Sequence, residues 1–364
     1  MRKTTAVTLV ALGLLAASCG SDEDPASQDD PAEQEDPATE EEPAGEDEPT
    51  AEEEPEYPVE DLVIGLPAPN QIYSAMYVGL DKGWFEEESF NADVVITQSS
   101  TGSVQQAASA SVHVGGATPD AAVFGINEGA DVSIVAVTIE GSPLSVVGGS
   151  DVTDWEDLRG QTIGVSALKG GEIALLRRLL DEHGLGEGDY DVIVSGATPA
   201  KAAALAEGSV AAAVLFSPTD YALEAQGLNI LGSTAELPLA DQIPLTVYVV
   251  NNGWAAENDR GDRLARVLVR ANQWLADPAN RDEAVEIFAA AADQEPQFVE
   301  ATYALWFDQF DIGTPAGLVT ADEVQNTLEM MAADGDISEP LPDPAEFFDS
   351  SFIENAADDI GASQ

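Results

Sequence analysis

Between Asp61 and Gly232 short apolar runs alternate with longer stretches whose apolar residues recur every three or four positions. The runs DLVIGL (61–66), ADVVITQ (92–98), VHVGG (112–116), VSIVAVT (132–138), SPLSVVG (142–148), QTIGVSA (161–167), YDVIVSG (190–196), VAAAVLF (210–216) and LNILG (228–232) predict strands. Between them, 74–88, 102–111, 119–129, 170–184, 199–208 and 218–227 predict helices, most of them closed by glycine. PLTVYVVNN (244–252) predicts one more strand, and 258–277, 281–292, 296–310 and 321–335 predict four further helices. Strands alternating with helices of this length predict an α/β protein with mostly parallel sheets, covered by helices on both faces. Segments 92–135 and 190–231 echo each other: strand, Ser/Thr/Gly loop, helix, short strand, Pro-opened helix, Gly stop, strand. Two such units predict two similar lobes. Ligands of such sheets sit at strand carboxyl ends, where loops enter helices.

The first 60 residues are of another kind. Met1, Arg2 and Lys3 precede an apolar stretch, Thr4 to Ala17, too short to span a bilayer. Ala16, Ala17 and Ser18 then lead to Cys19, the one cysteine among 364 residues. This is the layout of a secretory signal peptide (1–18). A lone cysteine forms no internal disulfide and no Cys-rich zinc site. Residues 19–58 are dominated by Asp, Glu, Pro, Ala, Ser and Thr and have no apolar periodicity, so a disordered acidic linker is expected there. In all, 68 acids face 13 bases, a formal charge of −55. This balance argues against nucleic acid as a partner, because phosphate binding takes clustered Lys and Arg.

Five loops could carry chemistry: 67–74 (PAPNQIYS), 98–102 (QSSTG), 116–120 (GATPD), 166–172 (SALKGGE) and 217–220 (SPTD). Each places Ser, Thr, Gly or Pro at a helix start, where free N–H groups and the positive helix end suit oxygen atoms or anions. Individually they also read as ordinary N-caps, with Ser217 and Asp220 fitting a capping box. The segment 168–172 lacks P-loop spacing and 184–189 lacks the dinucleotide fingerprint. No nucleophile–base–acid spacing, calcium loop or metal cluster is legible. His113 reads as a core residue and His183 as a helix-end cation.

LLAASC (14–19) resembles a lipoprotein lipobox, with Ala16 where Leu is usual, so Cys19 would carry lipid and hold the chain on the extracytoplasmic face of the cell membrane. YSAMYVGLDKGWFEEESFNADVVI (73–96), WEDLRGQTIGVSALKGG (155–171), AAALAEGSV (202–210) and TADEVQNTLEMMAADGDIS (320–338) resemble substrate-binding lipoproteins of ABC importers, in the nitrate/sulfonate/taurine/thiamine-precursor branch. His113 and Ala211 stand where that family has Asp. The resemblance implies a two-lobed periplasmic-binding-protein-like fold (type II), its two doubly wound sheets joined by a two-strand hinge near Val146–Gly149 and Leu245–Val249. Lobe 1 would combine 59–146 with 247–335, lobe 2 would be 147–246, and 336–364 a C-terminal extension.

The expected partners are a small-molecule ligand, the importer's membrane permease and the membrane itself through the lipid, with the chain a monomer. No catalytic residue, metal or cofactor is expected. Acids outnumber bases in the loops, which suggests an amine-bearing or heteroaromatic nutrient such as a thiamine-precursor pyrimidine. Glu140 or Glu172 would accept its N–H bonds, with Asp120 a further acid nearby. Asn70, Ser100, Thr101, Thr118, Lys169 and Ser217 would add polar contacts, and Tyr73, Tyr77 or Phe216 would stack. The alternative is a small anion (sulfonate, taurine or nitrate) held by N–H groups at Thr101, Gly102, Gly170 and Gly171 with Lys169. A related-fold enzyme of pyrimidine synthesis is the other alternative, but that branch uses a Cys-rich motif and no Cys follows Cys19.

Overall fold

The computed structural model describes residues 57–139, 141, 143–238, 242–309 and 317–359. Cys19, the signal segment, nearly all of the linker and Glu140 lie outside the described residues. The strands are β1 (Glu60–Leu66), β2 (Phe90–Ile96), β3 (Val114–Ala117), β4 (Val132–Ile139), β5 (Ser145–Gly148), β6 (Thr162–Val165), β7 (Asp191–Val194), β8 (Ala212–Leu215), β9 (Asn229–Ser233) and β10 (Thr246–Asn251). Each apolar run forms one of them, usually trimmed at its ends. Two five-stranded sheets result, in the orders β2-β1-β3-β10-β4 and β7-β6-β8-β5-β9.

The internal echo is repeated in this topology. β2, β1, β3 and β4 hold the places in the first sheet that β7, β6, β8 and β9 hold in the second. The remaining place is filled by exchange. β10 returns from beyond the second sheet and runs antiparallel to β3 and β4, while β5 enters the second sheet antiparallel to β8 and β9. Both sheets are therefore mixed rather than mostly parallel, a difference that periodicity does not show, because a short buried run carries no mark of its direction.

This exchange decides where a site forms. β5 and β10 oppose their neighbours, so both links between the sheets run from one carboxyl edge to the other. The two carboxyl edges are thereby joined at a hinge, and both sheets belong to one compact unit. Because Val146 and Val147 already lie in β5, and Val247 to Val249 in β10, the chain crosses before these strands, after Ile139 and after Ser233. The two links are tied to each other. Leu144 N–H donates to Thr234 Oγ1 (2.8 Å) and Thr234 N–H to Leu144 O (2.8 Å), while Leu245 N–H donates to Ile139 O (3.0 Å).

Two predicted helices are interrupted. The 74–88 segment breaks at Gly83 (φ 70°) into Ser74–Asp81 and Trp84–Glu87. The 296–310 segment is α-helical over Pro296–Tyr303 and π-helical over Ala304–Gln309. The helix Arg260–Ala276 lays Leu264, Val267, Leu268, Ala271 and Leu275 on the first sheet's core. It approaches Ser74–Asp81 so closely that a Cβ at Gly79 would stand 2.6 Å from Val267 Cγ1. On the same helix Arg263 is wholly buried. Its guanidinium donates to Glu88 O (2.9 and 2.7 Å), Ser89 O (3.2 Å) and Glu60 (3.2 Å), and lies 4.0 Å from the Phe90 ring centre.

The C-terminal stretch is part of the first sheet's packing through residue 359. Ile134 N–H donates to Phe347 O (2.9 Å) and Asp349 N–H to Ile134 O (2.8 Å). The helix Ser351–Asp359 then sets the Phe352 ring over Gly261, where a Cβ would come within 2.3 Å of it. Among the described residues no helix is long and apolar enough to cross a membrane.

Candidate functional site

Four of the five loops, and the start of the fifth, lie along the two facing carboxyl edges. Asn70 opens the turn after β1: its Oδ1 accepts from Ile72 N–H (3.1 Å) and starts a 3-10 turn, Gln71–Tyr73. Tyr73 is buried over Gly116, where a Cβ would meet its ring at 2.5 Å, and it tilts against Tyr248 of β10 at 6.2 Å between ring centres. Tyr77 lies close enough to Tyr73 and Tyr248 to act on their charges. Burial pushes the Tyr77 hydroxyl up to about 12 and the Tyr73 and Tyr248 hydroxyls still higher, so all three phenols are neutral.

The loop after β2 is knitted internally. Ser99, rather than Ser100, caps the helix Ser100–Ala108, and its Oγ accepts the Gly102 N–H (3.0 Å). The Gly102 donor is thus already used. Ser100 Oγ accepts from Thr118 N–H (3.1 Å), which joins two of the loops, and Thr101 is exposed. Thr118 does not cap its own helix with its side chain; its hydroxyl is turned to Asp120.

On the second sheet the expected contacts are rearranged. Glu172 accepts from Ser166 N–H (2.6 Å), Ser166 Oγ (2.9 Å) and Lys201 Nζ (2.6 Å), so its oxygens are committed within the protein. The Lys201 side chain is 0 % exposed and lies 5.9 Å from the Phe216 ring centre. Burial pulls its ammonium below its usual range, against the pull of Glu172. Lys169 is 76 % exposed and pairs with Asp336 at 2.6 Å, away from a role as a free cation. Ser217 is buried and forms no capping box. It donates to Asp220 Oδ2 (2.8 Å), as does Ser145 (2.5 Å), and Pro218 takes the cap position. Burial raises the Asp220 carboxyl, and these two hydroxyls oppose the rise.

Sequence reading missed the most telling groups. Both polar atoms of the Gln71 side chain, the hydroxyls of Tyr77 and Tyr248, and Trp306 Nε1 are buried without a hydrogen-bond partner among the described residues. The backbone amides of Asn70 and Met76 lie near the two hydroxyls, short of hydrogen-bond geometry. Trp306 sits on the π-helical segment, a distortion that often marks functional sites. Tyr77, Tyr248 and Trp306 belong to the large apolar core cluster, which extends across both sheets, and Gln71 is buried beside Ile72 of the same cluster. Buried polar groups are ordinarily paired, so a group of unpaired ones points to a partner from outside the chain. Gln71 had one legible signal, a long amide immediately before the largely apolar run IYSAMYV (72–78). Arg178 Nη1 is also unpaired, but it lies two turns into the helix Gly171–Glu182, where it acts on Asp334.

The histidines are structural. His113 Nδ1 accepts from Val63 N–H (3.0 Å) and its ring stacks on Trp254 (5.2 Å), while His183 stacks on Trp155 (4.2 Å). Among the described residues no group of three or more His, Cys, Asp or Glu is placed to hold a metal ion.

A family described as NMT1/THI5 like matches residues 70–280, more than half of the chain. The chain belongs to the NMT1/THI5-like family. The matched span runs from the Asn70 turn through both carboxyl edges into the Arg260–Ala276 helix. Among relatives, YtlA of Bacillus subtilis (strain 168) is 23 % identical over 282 residues, 74 % of this chain and 82 % of that protein. The alkanesulfonate-binding protein SsuA from Xanthomonas axonopodis pv. citri, bound to MOPS, superposes with a TM-score of 0.64 at 20 % identity, covering 79 % of this chain and 98 % of that one. The desulfurization enzyme DszB superposes with a TM-score of 0.61 at 17 % identity, covering 83 % and 99 %. The two-lobed fold of this NMT1/THI5-like protein is therefore one that serves binding proteins and at least one enzyme, and its chemistry has to be argued from its own site.

Proposed function

We propose that the chain is the extracytoplasmic substrate-binding component of an ABC importer. In this reading it captures a small heteroaromatic or amine-bearing nutrient, such as a thiamine-precursor pyrimidine, between lobe 1 (59–146 with 247–335) and lobe 2 (147–246), and delivers it to the membrane permease. The observation that carries the ligand class is the unpaired set Gln71, Tyr77, Tyr248 and Trp306. An amide offers a donor beside an acceptor, which matches the edge of an aminopyrimidine, and aromatic walls suit a ring. Closure is then a population shift towards the lobe arrangement that binds more tightly. Binding rather than turnover is the proposed activity, since no nucleophile–base pair stands among the site residues described above.

The family setting and the sulfonate-binding neighbour favour a second reading, capture of a small anion by N–H groups at Gly170 and Gly171. Thermal melts separate the two. With 4-amino-5-hydroxymethyl-2-methylpyrimidine at 100 times its Kd, a stabilisation of about 2.7 kcal/mol is expected, with none from ethanesulfonate. A shift with ethanesulfonate alone would sink the pyrimidine reading. Membrane attachment is proposed through lipid on Cys19, with the chain a monomer: Cys19→Ala should move the protein from the membrane to the soluble fraction and leave ligand binding unchanged.

A further inference from the structure

We propose that Asp120 sets the charge class of the ligand. Reaching from the first sheet to the start of the helix Gly171–Glu182 on the second, it puts a protein carboxylate where an anionic ligand would sit, so that neutral or amine-bearing molecules are accepted and sulfonates refused. The inference rests on the reading of the facing carboxyl edges as the binding site.

The geometry is specific. Gly170 (φ 97°) is the N-cap residue of a 12-residue helix, and no local side chain caps it. A Cβ built on Gly170 would stand 2.2 Å from Asp120 Oδ2, and one on Gly171 3.5 Å from Asp120 Oδ1. The carboxylate thus occupies the space a side chain would need, next to the exposed N–H groups of a positive helix end. Burial raises the Asp120 carboxyl above its ordinary range, and the Thr118 hydroxyl and the Gly171 N–H oppose that rise without cancelling it. The carboxyl that stands over this helix start belongs to a residue 50 positions earlier in the chain, on the other sheet.

The surrounding charges point the same way. Lys201 is neutralised by Glu172, and Lys169 by Asp336. Asp220 is a second carboxylate here, held by hydroxyl and amide donors. Among the described residues of these loops, two carboxylates lack a cationic partner and no cation lacks an anionic one. An anion entering at Gly170–Gly171 would have to displace Asp120 or lie against it, with no free base to offset the repulsion.

The test is calorimetric titration of the purified protein, Asp120→Asn and Asp120→Ala with ethanesulfonate and with 4-amino-5-hydroxymethyl-2-methylpyrimidine, circular dichroism confirming that each is folded. Asp120→Asn keeps the shape and removes the charge. The expected result is no ethanesulfonate binding by the parent protein and at least a tenfold gain in both variants, weakened by salt. Parent binding of ethanesulfonate as tight as the variants' would overturn the proposal, as would folded variants that gain none. If the parent still binds the pyrimidine in the second case, the cleft reading stands and only the role of Asp120 falls. If no form binds either probe, both fall.

Discussion

Arg263→Ala will destabilise the protein by about 3–5 kcal/mol, at the upper end of single substitutions. The side chain is fully buried, and its donors serve Glu88 O, Ser89 O and Glu60 while its face covers Phe90. Truncation leaves the Glu88 carbonyl short of its donors, at about 1–3 kcal/mol, takes one of two donors from Ser89 O, which keeps the Glu60 N–H, leaves Glu60 one cationic partner fewer, and opens space between the Arg260–Ala276 helix and β2. Arg263→Lys should recover only part, since an ammonium cannot reproduce the fork. Denaturant unfolding reads both values, and a loss under about 1 kcal/mol for the alanine variant would refute this account. The acid Glu60 supplies a second readout. Hydrogen bonds and charge from Arg260 and Arg263 hold its carboxyl at about 2, below the ordinary 4.5. A lowered carboxylate pKa stabilises the fold above pH 4.5, and that contribution is lost as pH falls towards 2. The stability gap between the parent protein and Glu60→Gln should hold from neutral pH to about 5 and close below it.

Gln71→Leu should move stability and binding in opposite directions. In the folded protein the Gln71 amide is buried with neither atom paired, a burden of about 1–3 kcal/mol. A leucine of similar volume removes that burden, so the melting temperature without ligand should rise. The same change removes a donor and an acceptor from the site, and pyrimidine affinity should fall at least tenfold, which is about 1.4 kcal/mol. Melting curves with and without the pyrimidine measure both effects. A drop in stability without ligand would show that the amide is satisfied within the protein and that Gln71 belongs to the core alone. Such opposition between stability and function is the usual mark of a site built for a partner.

The strands and most helices were legible because they follow from local periodicity. The mixed direction of the sheets was not, since β5 and β10 read like any buried run and their places are fixed by contacts made 64 or more residues away, as in the pairing of Gly148 with Ala212. The loops at the carboxyl edges were legible; the partners that their side chains take within the protein were not. Asp120 was legible as an acid of the 116–120 loop, whereas nothing in the local spacing marked Lys201. Their partners, Gly170 and Glu172, are neighbours only in three dimensions. Glu172 and Ser217 had the right chemistry for ligand contacts, but both are engaged by side chains that local spacing does not reveal.

The exchange of β5 and β10 also orders events during synthesis. When β4 leaves the ribosome, β3 and β4 have no strand between them, and the one that belongs there is encoded only after the entire second sheet. At roughly 5–20 residues per second, the first sheet waits several seconds for residue 251. During that time two unpaired strand edges stand open, the kind of surface that recruits foreign strands. A chain held unfolded until residue 251 is present avoids this interval, because β10 is then available before the first sheet closes.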